Sequence, residues 1–249
     1  MRVSYKQEDI DNLEKAFNLM PRWYSQFPLD SRKLGGENDL TKDARILKLS
    51  DNFPLAGKRV LELASMEGAH TYLLHLLGCR EVMGVEGRTW NFLKACLVKN
   101  IFDIDNCKFI LADLRARTFD DLGRFDLCLC IGILYHVMNP VFIMKNIGRV
   151  TNHVFIWSHY ATDHFPSGPE KELYDSDLRR TYRGRIAYEV DLDHPLSGLG
   201  ETSLWLFRED FLNMLWDLEF ADVKILDEGE MYDVKARHFL ILASKRNPY

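Results

Sequence analysis

The chain of 249 residues has the length of a single α/β domain with additions, and 47% of its residues are hydrophobic. That content is enough for a sizeable core and argues against wholesale disorder. The formal net charge of -5 argues against a general electrostatic attraction to nucleic acid, although a local basic patch is compatible with it.

The N-terminal segment, residues 1–55, is predicted to be a leader or cap. It starts with a helical pattern at Ile10, Leu13 and Phe17, and an aromatic-rich stretch follows. These aromatic side chains could cap a pocket, but packing of the leader onto the core is the simpler interpretation. The start of the chain mixes both charge signs without an apolar signal region, so no secretory signal is expected.

Strand-like and helix-like runs alternate from Lys58 to His159, which predicts a parallel sheet with helices on both faces. Strands are predicted at residues 58–63, 81–86, 107–112, 125–133 and 153–159. Helices are predicted at residues 68–77, before Asn100 and after Pro140. The expected buried positions of the first two helices are Leu73, Leu76 and Leu77, then Leu93, Cys96 and Leu97.

The alternation stops at residues 160–206, which form a connection far longer than the usual ~2–6 residues and are predicted to be a lid or substrate insert. An amphipathic helix around Phe211 follows. The last two apolar runs, 221–229 and 237–245, are too close for a crossover helix and should pair antiparallel. The predicted fold is α/β: a Rossmann-like, doubly wound, mostly parallel seven-stranded sheet with an antiparallel C-terminal hairpin, an N-terminal helical leader and a lid insert after the fifth strand. Residues 56–249 would form the main domain.

The loop after the first predicted strand, within "VLELASMEGAHT" (60–71), departs from a dinucleotide-binding loop. The glycine positions of a G-x-G-x-x-G fingerprint read Ala64, Met66 and Gly68. The Met66 side chain would occupy space that a pyrophosphate needs, and the carboxylate of Glu62 would repel it. S-adenosylmethionine carries an ammonium group and a sulfonium but no phosphate, so it fits this loop better. A salt bridge from Glu62 to a neighbouring Lys or Arg is the structural alternative.

Two more acids follow successive strands. Glu86 closes the second strand, where its carboxylate can accept hydrogen bonds from both ribose hydroxyls. Asp113 follows the third strand, where it can accept a bond from the adenine amino group, and Leu114 offers a backbone N–H. Each acid alone could be a solvated loop residue or a helix cap. Acids at three successive strand ends form a more specific pattern.

Residues 58–245 resemble the class I S-adenosylmethionine-dependent methyltransferases, including their antiparallel terminal hairpin. The run "IGILYHVMNP" (131–140) resembles a G-x-L-Y-H-x-x-x-P signature of a subgroup with tRNA wobble-uridine modifying and small-molecule methyltransferases. In that family, glycines usually stand at positions 64 and 66, and Asp is commoner than Glu at position 86. The resemblance implies a cofactor site lined by Glu62, Ala64, Ser65, Gly68, Glu86, Gly87, Asp113, Leu114 and Ile131.

The chemistry of methyl transfer from a sulfonium is an in-line displacement, so the protein mainly aligns the acceptor and excludes water. A base is needed only where the acceptor must lose a proton. His136 is the candidate base because it follows the fourth strand at the ligand edge of the sheet. Tyr135 could orient the acceptor or contact the cofactor. A helix-start or packing role is the alternative for His136.

Other polar and sulfur-containing residues give weaker signals. Asp191, Asp193 and His194 match no defined metal spacing, so no metal is predicted. Cys128 and Cys130 fall in a strand and are predicted to be reduced core residues, which suits a cytoplasmic protein. The longest apolar run is too short to span a bilayer, so no membrane contact is expected.

Three functions follow from these patterns. The first is S-adenosylmethionine-dependent methyl transfer to a small-molecule acceptor, with the leader and insert forming the pocket. The second is a tRNA wobble-uridine modifying transferase, suggested by the subgroup resemblance and by the basic stretch Arg179–Arg185. The third is a non-catalytic S-adenosylmethionine-binding module, suggested by Ala64 and Met66. The oligomeric state is left open.

Overall fold

The computed structural model describes residues 6–29, 32–231 and 236–246. Its helices are α1 (Gln7–Leu19), α2 (Ala44–Ser50), α3 (Ala69–Leu76), α4 (Thr89–Ile101), α5 (Pro140–Val150) and α6 (Arg208–Asp217). Its strands are β1 (Gln26–Leu29), β2 (Arg32–Gly35), β3 (Arg59–Leu63), β4 (Glu81–Glu86), β5 (Cys107–Leu111), β6 (Leu127–Ile131), β7 (His153–Tyr160), β8 (Glu170–Asp175), β9 (Arg180–Tyr188), β10 (Thr202–Leu206), β11 (Asp222–Met231) and β12 (Ala236–Ser244).

The principal sheet has seven strands in the order β11-β12-β7-β6-β3-β4-β5. The pairs β3–β4, β4–β5 and β6–β7 are parallel, whereas β12 pairs antiparallel with both β7 and β11. This arrangement confirms the predicted Rossmann-like sheet and its antiparallel C-terminal hairpin. Residues 232–235 of the predicted connector lie outside the described residues.

The chain divides into two compact units. The N-terminal unit consists of Met1–Ala112 with His194–Leu196, and the C-terminal unit consists of Asp113–Asp193 with Ser197–Tyr249. The predicted site residues from Glu62 to Gly87 belong to the N-terminal unit, and those from Asp113 to His136 belong to the C-terminal unit.

The core of the N-terminal unit lies around β3 and β4, whose side chains are almost all buried. Helix α4 turns a different face to this core than the one predicted. Leu93 is 40% exposed, whereas Lys94, Ala95 and Val98 are buried. The apolar residues of α4 indicated the wrong buried face, because the charged residue Lys94 is buried with polar partners inside the unit. Leu76 of α3 is likewise exposed, contrary to the prediction.

The aromatic residues of the leader pack within the N-terminal unit, which agrees with the simpler interpretation. Trp23 stacks on Phe17 with ring centroids 4.4 Å apart, and its indole N–H donates to the Phe17 carbonyl oxygen at 2.8 Å. Phe27 lies edge-on to Trp23 at 6.0 Å and 5.8 Å from Phe102 of the region after α4. The leader therefore shares one apolar cluster with the C-terminal end of helix α4.

The predicted insert, residues 160–206, contains regular structure in the C-terminal unit. Strands β8, β9 and β10 form a separate three-stranded antiparallel sheet. In β9, Tyr182 and Ile186 are buried, whereas Arg183 between them is exposed. This alternation of buried and exposed residues is typical of a sheet that is covered on one face. These strands were not predicted from the sequence, because charged residues occupy their exposed positions.

All the cysteines are free, and Cys128 and Cys130 are buried in β6 as predicted. Along the described ranges, every helix is too short or too polar to cross a bilayer.

Candidate active site

The loop between β3 and α3 in the N-terminal unit turns sharply without the usual glycines. Ala64, Met66 and Gly68 all have a left-handed backbone, with φ of 52°, 49° and 83°. The side chains of Ala64 and Met66 make this conformation less favourable, by about 1–2 kcal/mol for each residue. The sharp turn is therefore made here with only one glycine, at some expense in stability.

The Glu62 carboxyl is buried at the end of β3. The Thr71 hydroxyl donates a hydrogen bond to it, and Nδ1 of His70 lies 3.8 Å from its Oε1. Burial raises the pKa of Glu62 to about 8. The hydrogen bond from Thr71 opposes this rise, and the nearby charge of Glu86 adds to it. The Lys or Arg partner considered as an alternative is absent from the contacts of Glu62 in the described part of the chain.

His70 connects this acid to a second carboxylate. Its Nε2 lies 2.9 Å from Oδ2 of Asp43, which caps α2 and also accepts from the Arg45 guanidinium at 2.5 Å. Although burial opposes ionisation, the hydrogen bonds from His70 and Arg45 hold the pKa of Asp43 well below its usual range. Asp43 is thus a fixed negative charge, whereas Glu62 is an acid poised near neutral pH.

Glu86 at the end of β4 is buried and holds the loop. Its Oε2 accepts from the Met66 N–H at 2.8 Å, and its Oε1 accepts from the Arg88 N–H at 2.8 Å. Burial raises the pKa of Glu86, and these backbone hydrogen bonds oppose the rise. Gly87, next in the chain, is half-buried. The structure thus brings Glu62, Glu86 and the loop around Met66 together in one unit.

Ser65 adds a polar atom to the same loop. The residue is 3% exposed, and its Oγ has no hydrogen-bond partner among the residues that the structure describes. A buried hydroxyl without a partner is unfavourable by about 1–3 kcal/mol unless a ligand or water satisfies it. Two buried acids and this hydroxyl fit a cationic ligand without phosphate.

In the C-terminal unit, Asp113 has a strong partner of its own. It is half-exposed, and Arg115 donates to it through its backbone N–H at 2.9 Å and its guanidinium at 2.7 and 3.0 Å. These hydrogen bonds lower the pKa of Asp113. Leu114 is buried, and Ile131 at the end of β6 is half-buried.

Tyr135 and His136 lie on a short 3₁₀ helix, Leu134–His136, that follows β6. Nδ1 of His136 lies 2.6 Å from Oε1 of Glu189, and the two side chains are only 16% and 11% exposed. Glu189 directly follows β9. Sequence reasoning missed Glu189 because it lies 53 positions after His136 and no local pattern marks it.

Tyr135 belongs to an aromatic cluster, which consists of Tyr135, Trp157, His159 and Trp205. The Tyr135 ring centroid lies 4.5 Å from that of His159 and 5.5 Å from that of Trp205. His159 stacks on Trp205 at 5.0 Å with an interplanar angle of 6°. Burial lowers the pKa of His159 to about 4, so its ring is neutral at physiological pH.

Two buried polar atoms lie on strands that contribute rings to the aromatic cluster, Nδ1 of His159 on β7 and Oγ of Ser203 on β10. Nδ1 of His159 and Oγ of Ser203 have no hydrogen-bond partner within residues 6–29, 32–231 and 236–246. Both residues are at most 7% exposed. Ser203 and Trp205 are two apart in β10, so their side chains share one face of the small sheet. Apolar ring faces with a few directional polar atoms are typical of sites for small organic ligands.

Three of the four arginines in the basic stretch Arg179–Arg185 have carboxylate partners in the C-terminal unit. Arg180 lies 3.3 Å from Asp217, Arg183 lies 3.5 Å from Asp210, and Arg185 lies 3.0 Å from Glu170. Tyr182 is buried, and its hydroxyl donates to Asp217 at 2.7 Å. For metals, a search of the described residues finds no group of three or more His, Cys, Asp or Glu able to hold an ion.

Comparisons with known proteins agree on one class. A family model described as a methyltransferase domain matches residues 61–153. The N-terminal domain of EvdMO1, crystallised with SAH and D-fucose, is 24% identical; the alignment covers 96% of this chain and 97% of that one, with a TM-score of 0.80. No curated protein matches the sequence.

More distant structures have the same fold. A methyltransferase from Mesorhizobium loti is 15% identical, with 83% of this chain and 100% of that chain covered and a TM-score of 0.57. Magnesium protoporphyrin IX methyltransferase from Synechocystis PCC 6803, with bound SAH, is 13% identical, with 83% and 82% covered and a TM-score of 0.53. A methyltransferase-domain model thus matches residues 61–153 of this chain, and structures crystallised with SAH share its fold.

Proposed function

We propose that the chain transfers a methyl group from S-adenosylmethionine to a small organic molecule. The observation that carries this proposal is the aromatic cluster around Tyr135, with the buried Nδ1 of His159 in it and the buried Oγ of Ser203 two residues from Trp205 on β10. Its ring faces suit an apolar or saturated ring, and the unpartnered His159 and Ser203 atoms suit single hydroxyl or amine groups. The N-terminal domain of EvdMO1, similar over nearly its whole length, was crystallised with D-fucose, a molecule of this size.

We propose that the residues predicted from the sequence to line the cofactor site bind S-adenosylmethionine. In the N-terminal unit they are Glu62, Ala64, Ser65, Gly68, Glu86 and Gly87, and in the C-terminal unit they are Asp113, Leu114 and Ile131. The fit rests on the buried acids Glu62 and Glu86, because a cationic group beside them would compensate their burial. When bound, S-adenosylmethionine supplies a methyl group on a positively charged sulfur. Tyr135 and His136 would orient the acceptor and take its proton.

The tRNA alternative receives no specific support. Three of the four arginines that suggested it, Arg180, Arg183 and Arg185, have carboxylate partners, which lowers the net positive charge of the stretch. The non-catalytic alternative rests on Ala64 and Met66. Because both adopt the left-handed backbone that glycine would, the loop retains its shape.

The first experiment measures ligand binding by isothermal titration calorimetry with SAH, S-adenosylmethionine and, as a control, NADH. We expect SAH and S-adenosylmethionine to bind at micromolar concentration and NADH not to bind. Glu86→Ala should weaken SAH binding at least tenfold, because it removes both the proposed ribose acceptor and the contact to the Met66 N–H. Binding of NADH in preference to SAH would overturn the assignment of the acids.

The second experiment identifies the acceptor class with S-adenosylmethionine labelled with ¹³C in its methyl group. The protein is incubated with pools of small metabolites that include free sugars and, separately, with bulk tRNA. Label in the small-molecule fraction supports the proposal. Label in tRNA alone would favour the second function, and binding of SAH without transfer to either pool would favour a binding module.

A further inference from the structure

We infer that Glu189 is a positioning residue that makes His136 a base for a hydroxyl group, so that the methyl acceptor atom is oxygen. This inference rests on the proposed function, whose acceptor it defines. Its basis is the contact between the two side chains: Nδ1 of His136 lies 2.6 Å from Oε1 of Glu189, and both are mostly buried. Neither residue belongs to the loop or the strand ends proposed for the methyl donor.

The carboxylate determines which nitrogen of His136 carries the proton. An ionised carboxylate can only accept hydrogen bonds, so the nitrogen facing Glu189 must donate one. In a neutral imidazole with its proton on Nδ1, the lone pair is on Nε2. Nε2 is therefore the nitrogen that can take a proton from an acceptor. The negative charge of Glu189 also stabilises the imidazolium that forms when it does so.

The position of Glu189 is held by its own surroundings in the C-terminal unit. Its backbone N–H donates to the carbonyl oxygen of Glu201 at 2.9 Å, which extends the pairing of β9 with β10. Gly198 packs closely over the pair. A Cβ atom at that position would lie 2.8 Å from the carbonyl oxygen of His136 and 3.0 Å from Oε1 of Glu189. The predicted lid segment thus supplies both the carboxylate and the backbone that covers it.

A base of this kind indicates a hydroxyl acceptor. A neutral amine has a lone pair ready to attack a methyl group, whereas an alcohol is a weak nucleophile until it loses its proton. In the proposed step, the acceptor oxygen forms a bond to the methyl carbon while the carbon–sulfur bond breaks, and its electron pair stays on sulfur. The hydroxyl proton passes to Nε2 of His136 and later leaves to solvent. Charge and atoms balance without another reactant.

The aromatic cluster is consistent with a hydroxylated acceptor. The Tyr135 ring lies 4.3 Å from the His136 ring and also contacts His159, so it joins the proposed base to the cluster. Nδ1 of His159 and Oγ of Ser203 provide two sites that can bind further hydroxyls. An acceptor that carries several hydroxyls on a ring would satisfy both groups.

The first test needs no acceptor. Histidine labelled with ¹⁵N reports the tautomer of each ring through long-range ¹H–¹⁵N correlation spectra, and the His136→Gln variant identifies the His136 signals. We expect neutral His136 to carry its proton on Nδ1 in the wild-type protein and mainly on Nε2 in Glu189→Ala. Glu201→Gln, which changes an exposed acid in the same segment, should leave the tautomer unchanged. A proton on Nε2 in the wild-type protein would overturn the inference.

The second test uses the ¹³C-methyl transfer product. The carbon chemical shift of the labelled group distinguishes an O-methyl from an N-methyl or C-methyl product, and we expect O-methyl. Glu189→Ala should lower kcat about 10²-fold with unchanged SAH affinity, since base catalysis typically contributes that much. An N-methyl or C-methyl product would overturn this inference and leave the proposed function standing. Absence of small-molecule transfer would instead contradict the proposed function.

Discussion

Single residues around the proposed donor site differ in how they respond to pH. Asp43 is held ionised by His70 and Arg45, whereas the buried Glu62 has a pKa of about 8. At pH 7 most Glu62 side chains are therefore protonated. A cation bound nearby favours the ionised form and lowers this pKa. Binding of S-adenosylmethionine should then release protons from Glu62.

The first prediction follows from that linkage. Because the pKa of Glu62 is raised, the affinity for S-adenosylmethionine should increase as the pH rises from 6 to about 8. Calorimetry in buffers of different ionisation enthalpy measures the protons released. Glu62→Gln should release fewer protons than wild type, and the exposed Glu37→Gln should match wild type. Equal proton release in wild type and Glu62→Gln would exclude Glu62 from the site.

The second prediction concerns backbone strain at Ala64. Its φ of 52° is unfavourable for alanine, so Ala64→Gly should stabilise the fold by up to about 1 kcal/mol, the gain being reduced by the greater freedom of glycine in the unfolded chain. Ala16→Gly in α1 is the matched control and should destabilise by about 1 kcal/mol. Urea denaturation measures both. Equal destabilisation by the two variants would show that position 64 is unstrained.

At the scale of elements, a buried ion pair connects the leader to the loop before α3. Nζ of Lys94 in α4 donates to Oε1 of Glu67 and to the carbonyl oxygen of Arg22, both at 2.8 Å. Glu67 also accepts from the backbone N–H groups of Tyr24 and Ser25, at 3.0 and 2.6 Å. Since Glu67 lies between Met66 and Gly68, the packing of the leader and the conformation of this loop are coupled.

The third prediction tests this coupling. Lys94→Met leaves the Glu67 carboxylate buried without its cation, which should destabilise the protein by about 3–5 kcal/mol. Adding Glu67→Gln to Lys94→Met should recover part of this loss, because the unpaired charge is removed. Lys99→Met on the same helix serves as the control, and urea denaturation is the measurement. A loss below 1 kcal/mol for Lys94→Met would mean that the pair does not hold the leader.

At the scale of the whole molecule, the features predicted correctly depend on neighbouring residues in the sequence. Strand β4 was predicted at 81–86 and spans Glu81–Glu86, because a short apolar run lies between turn residues. The terminal hairpin followed from a connector too short for a helix. The buried face of α4 and the β8–β10 sheet were missed. Burial of Lys94 depends on Glu67, and the role of Glu189 depends on His136, partners that no local pattern reveals.

The last prediction concerns the charge of the molecule as a whole. The formal net charge is -5, and Arg180, Arg183 and Arg185 each have a carboxylate within 3.5 Å. Binding to tRNA releases counterions in proportion to the phosphates neutralised, so it needs uncompensated cations. We therefore expect fluorescence anisotropy with labelled tRNA to show no saturable binding at about 0.15 M salt, where such charges are screened beyond ~8 Å. Binding at this salt that weakens steeply as salt is raised would contradict the small-molecule proposal, because it would show that cations of this chain contact the phosphates of tRNA.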